Sequence, residues 1–138
     1  MRTQRQVVDY ALRRRSLLAS VHAGRTAVAE VCDADPYLLR AAKFHGRSTE
    51  VICPICRKEQ LTQVSWVYGE RLGPASGSAR TPEELARLAA SREEFSVHVV
   101  EVCRSCNWNH LVQSYVLGIA PPPRRTRRRE SGRRTATE

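Results

Sequence analysis

The sequence has no long apolar run and few aromatic residues, which make up 6% of the chain. No segment approaches the roughly 20 consecutive apolar residues that a membrane-spanning helix needs. The N-terminal stretch MRTQRQVVDYALRRRSLL lacks the apolar centre of a secretory signal. We therefore expect a cytoplasmic protein without a membrane partner.

The size of the chain limits the core that it can form. A length of 138 residues fits one compact domain. The segment 120–138, APPPRRTRRRESGRRTATE, contains almost nothing that can be buried, so we expect a disordered, Arg-rich tail. The remaining part is small enough to benefit from a covalent or metal crosslink.

Four of the five cysteines form two C-x-x-C pairs, one in EVICPICRKEQL (50–61) and one in VEVCRSCNWNHL (100–111). Each pair lies where one predicted strand turns toward another. In the reducing cytosol, such pairs favour metal binding over disulfides. Four thiolates complete a tetrahedral zinc site and leave no open position. We predict one structural zinc ion with four ligands: Cys53, Cys56, Cys103 and Cys106.

Two other uses of these cysteines stay open. Rubredoxin-type iron takes the same four thiolates, although such sites usually place Gly where this chain has Arg57 and Asn107. The CPIC sequence is also typical of thiol–disulfide proteins, but those motifs begin a helix, and strand-like sequence follows Cys56. The fifth cysteine, Cys32, is expected to be a small buried residue of the helical part.

The cysteine pattern resembles the zinc-ribbon fold group over residues 50–70 and 95–118. The resemblance implies a three-stranded antiparallel zinc ribbon (49–119) with a helical insertion between the knuckles (72–94). Together with a basic helical segment (1–48) and the tail (120–138), it gives a predicted α+β protein in three parts.

Local signals place the other elements. Apolar spacing predicts one helix over 3–22, a short second helix over 27–32, and a third that starts at Asp35 and Pro36 and ends at Gly46. Thr81 and Glu84 form a capping box for a helix in the insertion. GPASGSAR is predicted to be a flexible loop, and FSVHVVEV and HLVQSYVL are predicted strands.

The net charge of +9 is concentrated at the two ends of the chain. Residues 1–25 and 120–138 each carry a net charge of +5, and the part between them carries −1. Cationic ends on a near-neutral body are typical of proteins that bind polyanions, although a solubilising tail is the alternative. The predicted nucleic-acid-binding residues are Arg13, Arg14, Arg15, Arg124, Arg125, Arg127, Arg128 and Arg129.

Two further features indicate contact surfaces. Trp108 and His110 follow the second cysteine pair and are predicted to contact a partner, with core packing as the alternative for Trp108. Residues 26–44 also fit a loose helix-turn-helix template, in which the second helix would present Tyr37, Arg40, Lys43 and Arg47 outward, and a helical cap on the ribbon is the alternative.

From about residue 3 to 118, the chain resembles a family of small actinobacterial proteins of uncharacterised function. The resemblance depends on VCDADPYLLRAAKFHG, CPICRKEQLTQVSWVYGE and VVEVCRSCNWNHLVQSYVLG. It implies the zinc-ribbon fold and brings no activity with it.

These observations predict a non-enzymatic, zinc-stabilised protein that binds RNA or DNA within the transcription or translation machinery. The alternative is a protein–protein adaptor that docks on RNA polymerase or the ribosome through the ribbon face, and a thiol redox protein is a distant third. The sequence shows no nucleophile–base pair, phosphate loop or open metal site, so we expect neither enzymatic activity nor a small-molecule substrate.

Overall fold

The computed structural model describes residues 4–121. The strands are β1 (Arg5–Asp9), β2 (Arg47–Ile52), β3 (Gln60–Tyr68), β4 (Ser78–Arg80), β5 (Phe95–Val102) and β6 (Asn109–Leu117). The helices are α1 (Ala11–His22), α2 (Val28–Val31), α3 (Pro36–His45) and α4 (Pro82–Ser91), and a short 3₁₀ segment, Glu70–Ala75, precedes β4. No helix within residues 4–121 has the length and apolar character needed to cross a membrane. The arginines predicted in the tail (Arg124, Arg125, Arg127, Arg128 and Arg129) lie outside the described residues.

The six strands form one antiparallel sheet. Five of them lie in the order β1-β6-β5-β3-β2, and β4 pairs with the C-terminal half of β3. The predicted α+β class is confirmed, but the sheet is larger than the predicted three-stranded ribbon. The long central strands β3 and β5 have nine and eight residues. Such strands leave rows of backbone N–H and C=O groups on both sides, and the additional strands satisfy these groups.

The prediction of a single helix over 3–22 is wrong in its first third. Residues Arg5–Asp9 form β1, which pairs with the edge of β6. Val7 and Val8 are β-branched and suit a strand, and the open edge of β6 offers the hydrogen bonds that a helical turn would otherwise supply. The Asp9 carboxylate then accepts a hydrogen bond from the backbone N–H of Ala11 at 2.7 Å, where α1 begins.

The predicted starts of α3 and α4 are confirmed. The Asp35 side chain accepts a hydrogen bond from the N–H of Leu38 at 2.8 Å. Thr81 accepts from the N–H of Glu84 at 3.2 Å, and the Glu84 carboxylate accepts from the N–H of Thr81 at 2.8 Å. Both helices have proline in the first turn, where no intrahelical donor is needed.

The segment predicted to be a flexible loop, GPASGSAR, contains regular secondary structure. It contains the end of the 3₁₀ segment and all of β4, whose Ala79 pairs with Trp66 of β3. Gly73 and Gly77 supply the positive φ angles, +58° and +86°, that the chain needs to reverse direction here. The N–H of Gly77 donates to the carbonyl oxygen of Val67, which fixes the turn to the sheet.

The sheet carries three clusters of buried apolar side chains. The first lies under α4 at one end of β3 and β5 and includes Val67, Leu72, Leu85, Phe95 and Leu117. The second lies between α3 and the sheet and is formed by Ala41, Ala42, Val64 and Val102. The third lies at the opposite end from α4 and contains two of the paired cysteines. The candidate site is therefore built into one of the packed regions of the protein.

Candidate metal centre

The topology of the sheet brings the two cysteine pairs together. Cys53 and Cys56 lie in the turn between β2 and β3, and Cys103 and Cys106 lie in the turn between β5 and β6. Because β3 and β5 are antiparallel neighbours, the start of β3 lies beside the end of β5, and Thr62 pairs with Val102. The two turns therefore meet at the same end of the sheet.

The four sulfurs have the spacing of a tetrahedral metal site. The Sγ atoms of Cys53 and Cys106 are 3.6 Å apart, and those of Cys56 and Cys103 are 3.7 Å apart. All four Sγ atoms lie within 4.8 Å of one another. Four sulfurs at about 2.3 Å from a central ion are about 3.8 Å apart in a regular tetrahedron. The geometry is consistent with one bound metal ion such as zinc.

Each turn repeats the same backbone arrangement. The N–H of Arg57 donates to the carbonyl of Cys53 at 3.0 Å, and the N–H of Asn107 donates to the carbonyl of Cys103 at 2.9 Å. Arg57 and Asn107 both have positive φ angles, +62° and +72°. Asn adopts this left-handed conformation readily, whereas a long side chain such as Arg does so at a cost. The absence of Gly after each pair therefore does not prevent the knuckle from forming.

Backbone amides and burial set the acidity of the thiols in opposite directions. The N–H groups of Glu59 and Lys58 lower the pKa of the Cys56 thiol to about 7. Burial raises the pKa of Cys53 and Cys103, and it raises the pKa of Cys106 to about 11. Metal ligation requires the thiolate forms, so binding of an ion would release protons from the buried thiols.

The site is closed to solvent on its inner side. Cys53 and Cys103 are 0% exposed, and they pack with Val31 of α2, Leu61 of β3 and Trp108. We call this group, with the four paired cysteines, the metal-end cluster. Cys56 and Cys106 are half-buried at the outer side. Four sulfurs are enough to fill the tetrahedral coordination of one zinc ion.

Trp108 packs inside the protein, so its predicted role as a partner contact is wrong. Its side chain is 0% exposed, and its Nε1–H donates to Oε2 of Glu101 at 2.8 Å. The same carboxylate oxygen accepts a hydrogen bond from Nε of Arg14 at 2.7 Å. A buried carboxylate is tolerated when it is paired and hydrogen-bonded in this way. The indole fills the space beside the cysteines because this acceptor satisfies its polar atom.

This contact also changes the interpretation of the basic residues on α1. The guanidinium of Arg14 is held by Glu101 beneath α1. Arg13 lies over the ring of Tyr10, with its Cζ atom 5.2 Å from the ring centroid, and is exposed together with Arg15. Of the three predicted basic residues on α1, Arg13 and Arg15 therefore face solvent, whereas Arg14 links α1 to β5.

His110 is half-buried beside Trp108. Its ring stacks on the indole with a centroid distance of 5.9 Å and an interplanar angle of 12°. Its Nδ1–H donates to the carbonyl of Leu111 at 2.6 Å. The four thiols account for the metal site without this imidazole. A contact of His110 with a partner stays a prediction.

Sequence reasoning missed the position of Cys32. Its Sγ atom is 3.9 Å from that of Cys106, so the fifth thiol lies next to the site and not in a separate helical core. It does not belong to the group of sulfurs that are all mutually close. Burial raises the pKa of the Cys32 thiol. No spacing pattern links residue 32 to either pair, so only the packing of α2 on the knuckles could reveal this proximity.

Three cations lie at the tips of the knuckles. Arg57, Lys58 and Arg104 are exposed. Four thiolates around a divalent ion carry a net charge of −2, which nearby cations stabilise. The same side chains are also available to a phosphate group.

The chain belongs to the family of unknown function DUF5318, whose match covers residues 1–131. It is 68% identical over 137 residues to the uncharacterized protein Mb0050 of Mycobacterium bovis and to the uncharacterized protein Rv0049 of Mycobacterium tuberculosis. Each alignment covers 95% of this chain and 100% of the relative. No solved structure matches the chain.

Proposed function

We propose that this protein is a non-enzymatic, zinc-stabilised binding protein that associates with nucleic acid. The closed group of four thiols supports the structural role of the metal, because a catalytic zinc keeps one position open to water or substrate. A structural zinc contributes about 10–16 kcal/mol of apparent binding free energy, which would add to the apolar packing of Val31, Leu61 and Trp108 at this end of the sheet.

The position of the first cysteine pair argues against a thiol–disulfide function. A thiol–disulfide motif needs an accessible thiolate, usually at the start of a helix. The first pair here lies between two strands, and Cys53 is fully buried. A four-thiolate tetrahedron suits zinc or an iron centre, and elemental analysis with the visible absorption spectrum separates them.

The unpaired cations support a nucleic acid partner. Within residues 4–121, Arg13, Arg15, Arg57, Lys58 and Arg104 take part in no salt bridge. Residues 122–138 add seven arginines and two glutamates. Each cation that neutralises a phosphate releases a counterion, so binding would weaken steeply as salt is added.

The test is fluorescence anisotropy of labelled RNA and DNA oligonucleotides, titrated with the zinc-loaded full chain over a range of salt concentrations. We expect binding at low salt with a steep negative dependence on salt. A chain without residues 122–138 should give a shallower dependence, and so should the double variant Arg13→Gln, Arg15→Gln. Arg71→Gln is the matched control, because Arg71 already pairs with Glu93 at 3.1 Å near α4. Absence of binding at low salt would overturn the proposal.

A further inference from the structure

A groove between α3 and β4 is lined by three of the eight aromatic residues of the chain. Its volume is about 390 Å³, within the range of ligand-binding clefts. Tyr37 and Phe44 come from α3, Trp66 comes from β3, and the turn that carries Pro74 and Gly77 forms the opposite wall. This groove is separate from the metal-end cluster.

The sequence of α3 explains why the aromatic rings stay outside the core. Ala41 and Ala42 are buried against the sheet, and their small side chains bring the helix close to β3. Tyr37 and Phe44 are seven residues apart, which places them on one side of the helix. They remain 70% and 64% exposed. Large exposed aromatic side chains that line a concave surface indicate a contact site.

Basic residues line the groove or lie beside it, and their positive charge indicates which kind of ligand the groove could bind. Arg40 and His45 line it, and the Lys43 ammonium lies 5.3 Å from the centre of the Phe44 ring. None of the described residues that line the groove is acidic. Arg40 and Lys43 take part in no salt bridge within residues 4–121. Cations beside unstacked aromatic rings complement a ligand with flat bases and a phosphate backbone.

We infer that this groove, lined by Tyr37, Phe44 and Trp66, binds the unstacked bases of a single-stranded nucleic acid. The exposed rings of Tyr37 and Phe44 supply stacking surfaces beside the half-buried Trp66, and Arg40 and Lys43 contact the phosphates between bases. Duplexes keep their bases stacked and cannot use such rings, so the groove favours single strands. The inference rests on the proposed function and assigns its binding surface.

Direct binding measurements test this inference. Labelled single-stranded oligonucleotides are titrated with the zinc-loaded full chain and with Tyr37→Ala, Phe44→Ala and the double variant. Loss of one stacking ring should weaken binding about five- to 150-fold, and Tyr37→Phe should bind like the unaltered chain because stacking needs no hydroxyl. Tyr68→Ala is the matched control, since Tyr68 is an exposed aromatic residue (44%) outside the groove lining.

Tryptophan fluorescence gives an independent readout. The chain has two tryptophans, and Trp108 is fully buried. Stacking of a base on Trp66 should therefore quench emission in the unaltered chain and leave emission unchanged in a Trp66→Phe variant.

The outcomes separate the groove from the wider proposal. If the unaltered chain binds but the groove variants bind equally well, the groove inference is overturned and the proposed function survives on the cationic ends. If duplex binds as tightly as single strand and Trp66 emission does not change, the inference fails in the same way. If the unaltered chain binds no oligonucleotide at low salt, both are overturned.

Discussion

Strands β3 and β5 extend between two ends of the protein that are held together by different interactions. At the α4 end, helix and sheet bury hydrocarbon side chains such as Leu85, Phe95 and Leu117. At the knuckle end, the same strands lead into cysteines, and the largest side chain, Trp108, is tied to a buried carboxylate. The comparison indicates that one sheet has hydrocarbon packing at one end and, at the other end, an apolar cluster that includes four thiols able to hold a metal ion.

The largest effect should come from removing a ligand at the knuckle end. Cys103→Ser is expected to lose the metal and with it most of the about 10–16 kcal/mol that a structural zinc supplies. Metal content and hydrogen exchange at Thr62 and Val102, which pair beside the site, would show this. Cys32→Ser should keep the metal, since Cys32 lies outside the mutually close group. If the Cys103→Ser protein keeps its metal and the hydrogen-exchange protection of Thr62 and Val102, a metal crosslink does not stabilise this end of the sheet.

A core substitution at the α4 end should act without touching the metal. Phe95 is 2% exposed in the α4 cluster, and Phe95→Ala should lower the free energy of unfolding by about 3–5 kcal/mol. Chemical denaturation measures the loss, and elemental analysis should still find the metal in the folded protein. If the Phe95→Ala protein loses its metal under native conditions, the packing at the α4 end and the metal site at the knuckle end depend on each other.

Local sequence signals account for some features of the structure, and contacts between distant residues account for others. The capping residues Asp35 and Thr81 have their signal within a few positions, so their roles could be predicted. The two C-x-x-C spacings likewise indicated the cluster of four cysteines that could hold a metal. The strand formed by Val7 and Val8 depends on an edge of β6 more than 100 residues away. Apolar spacing alone could not distinguish it from the first turns of a helix.

The position of Trp108 depends on long-range contacts for a similar reason. Its burial requires an acceptor, and the acceptor is Glu101 together with Arg14 on a helix that lies far away in sequence. A charged residue in a strand gives no sign that it will be buried. Cys32 likewise approaches Cys106 only through the packing of α2.

A moderate effect should come from the buried carboxylate. Glu101→Gln keeps an acceptor for Trp108 but weakens the charged hydrogen bond to Arg14, which is 2.7 Å long. A loss of about 1–3 kcal/mol in unfolding free energy is expected, with faster loss of metal to a chelator. Glu93→Gln is the control, because the Arg71–Glu93 pair is exposed and should change stability by less than about 1 kcal/mol. Equal effects of the two substitutions would contradict a special role for Glu101.

The smallest effect is expected at the N-cap of α4. Thr81→Ala removes the acceptor for the N–H of Glu84 and should cost about 1 kcal/mol. Thermal unfolding would measure this loss, and the metal content should not change. Asp35→Ala, at the cap of α3, should cost a similar amount. If the Thr81→Ala protein loses its metal, the α4 end contributes to the stability of the metal site, and the two ends are not independent.

The claim that a metal ion fastens the knuckle end is tested most directly in a Trp66→Phe background, where Trp108 is the only tryptophan. Elemental analysis of the purified protein should find one zinc ion per chain. Removal of that ion by a chelator at neutral pH should shift the Trp108 emission to longer wavelength as the indole becomes exposed, and added zinc should reverse the shift. A metal-free protein whose Trp108 emission is already that of a buried indole, and does not respond to chelator, would contradict the account.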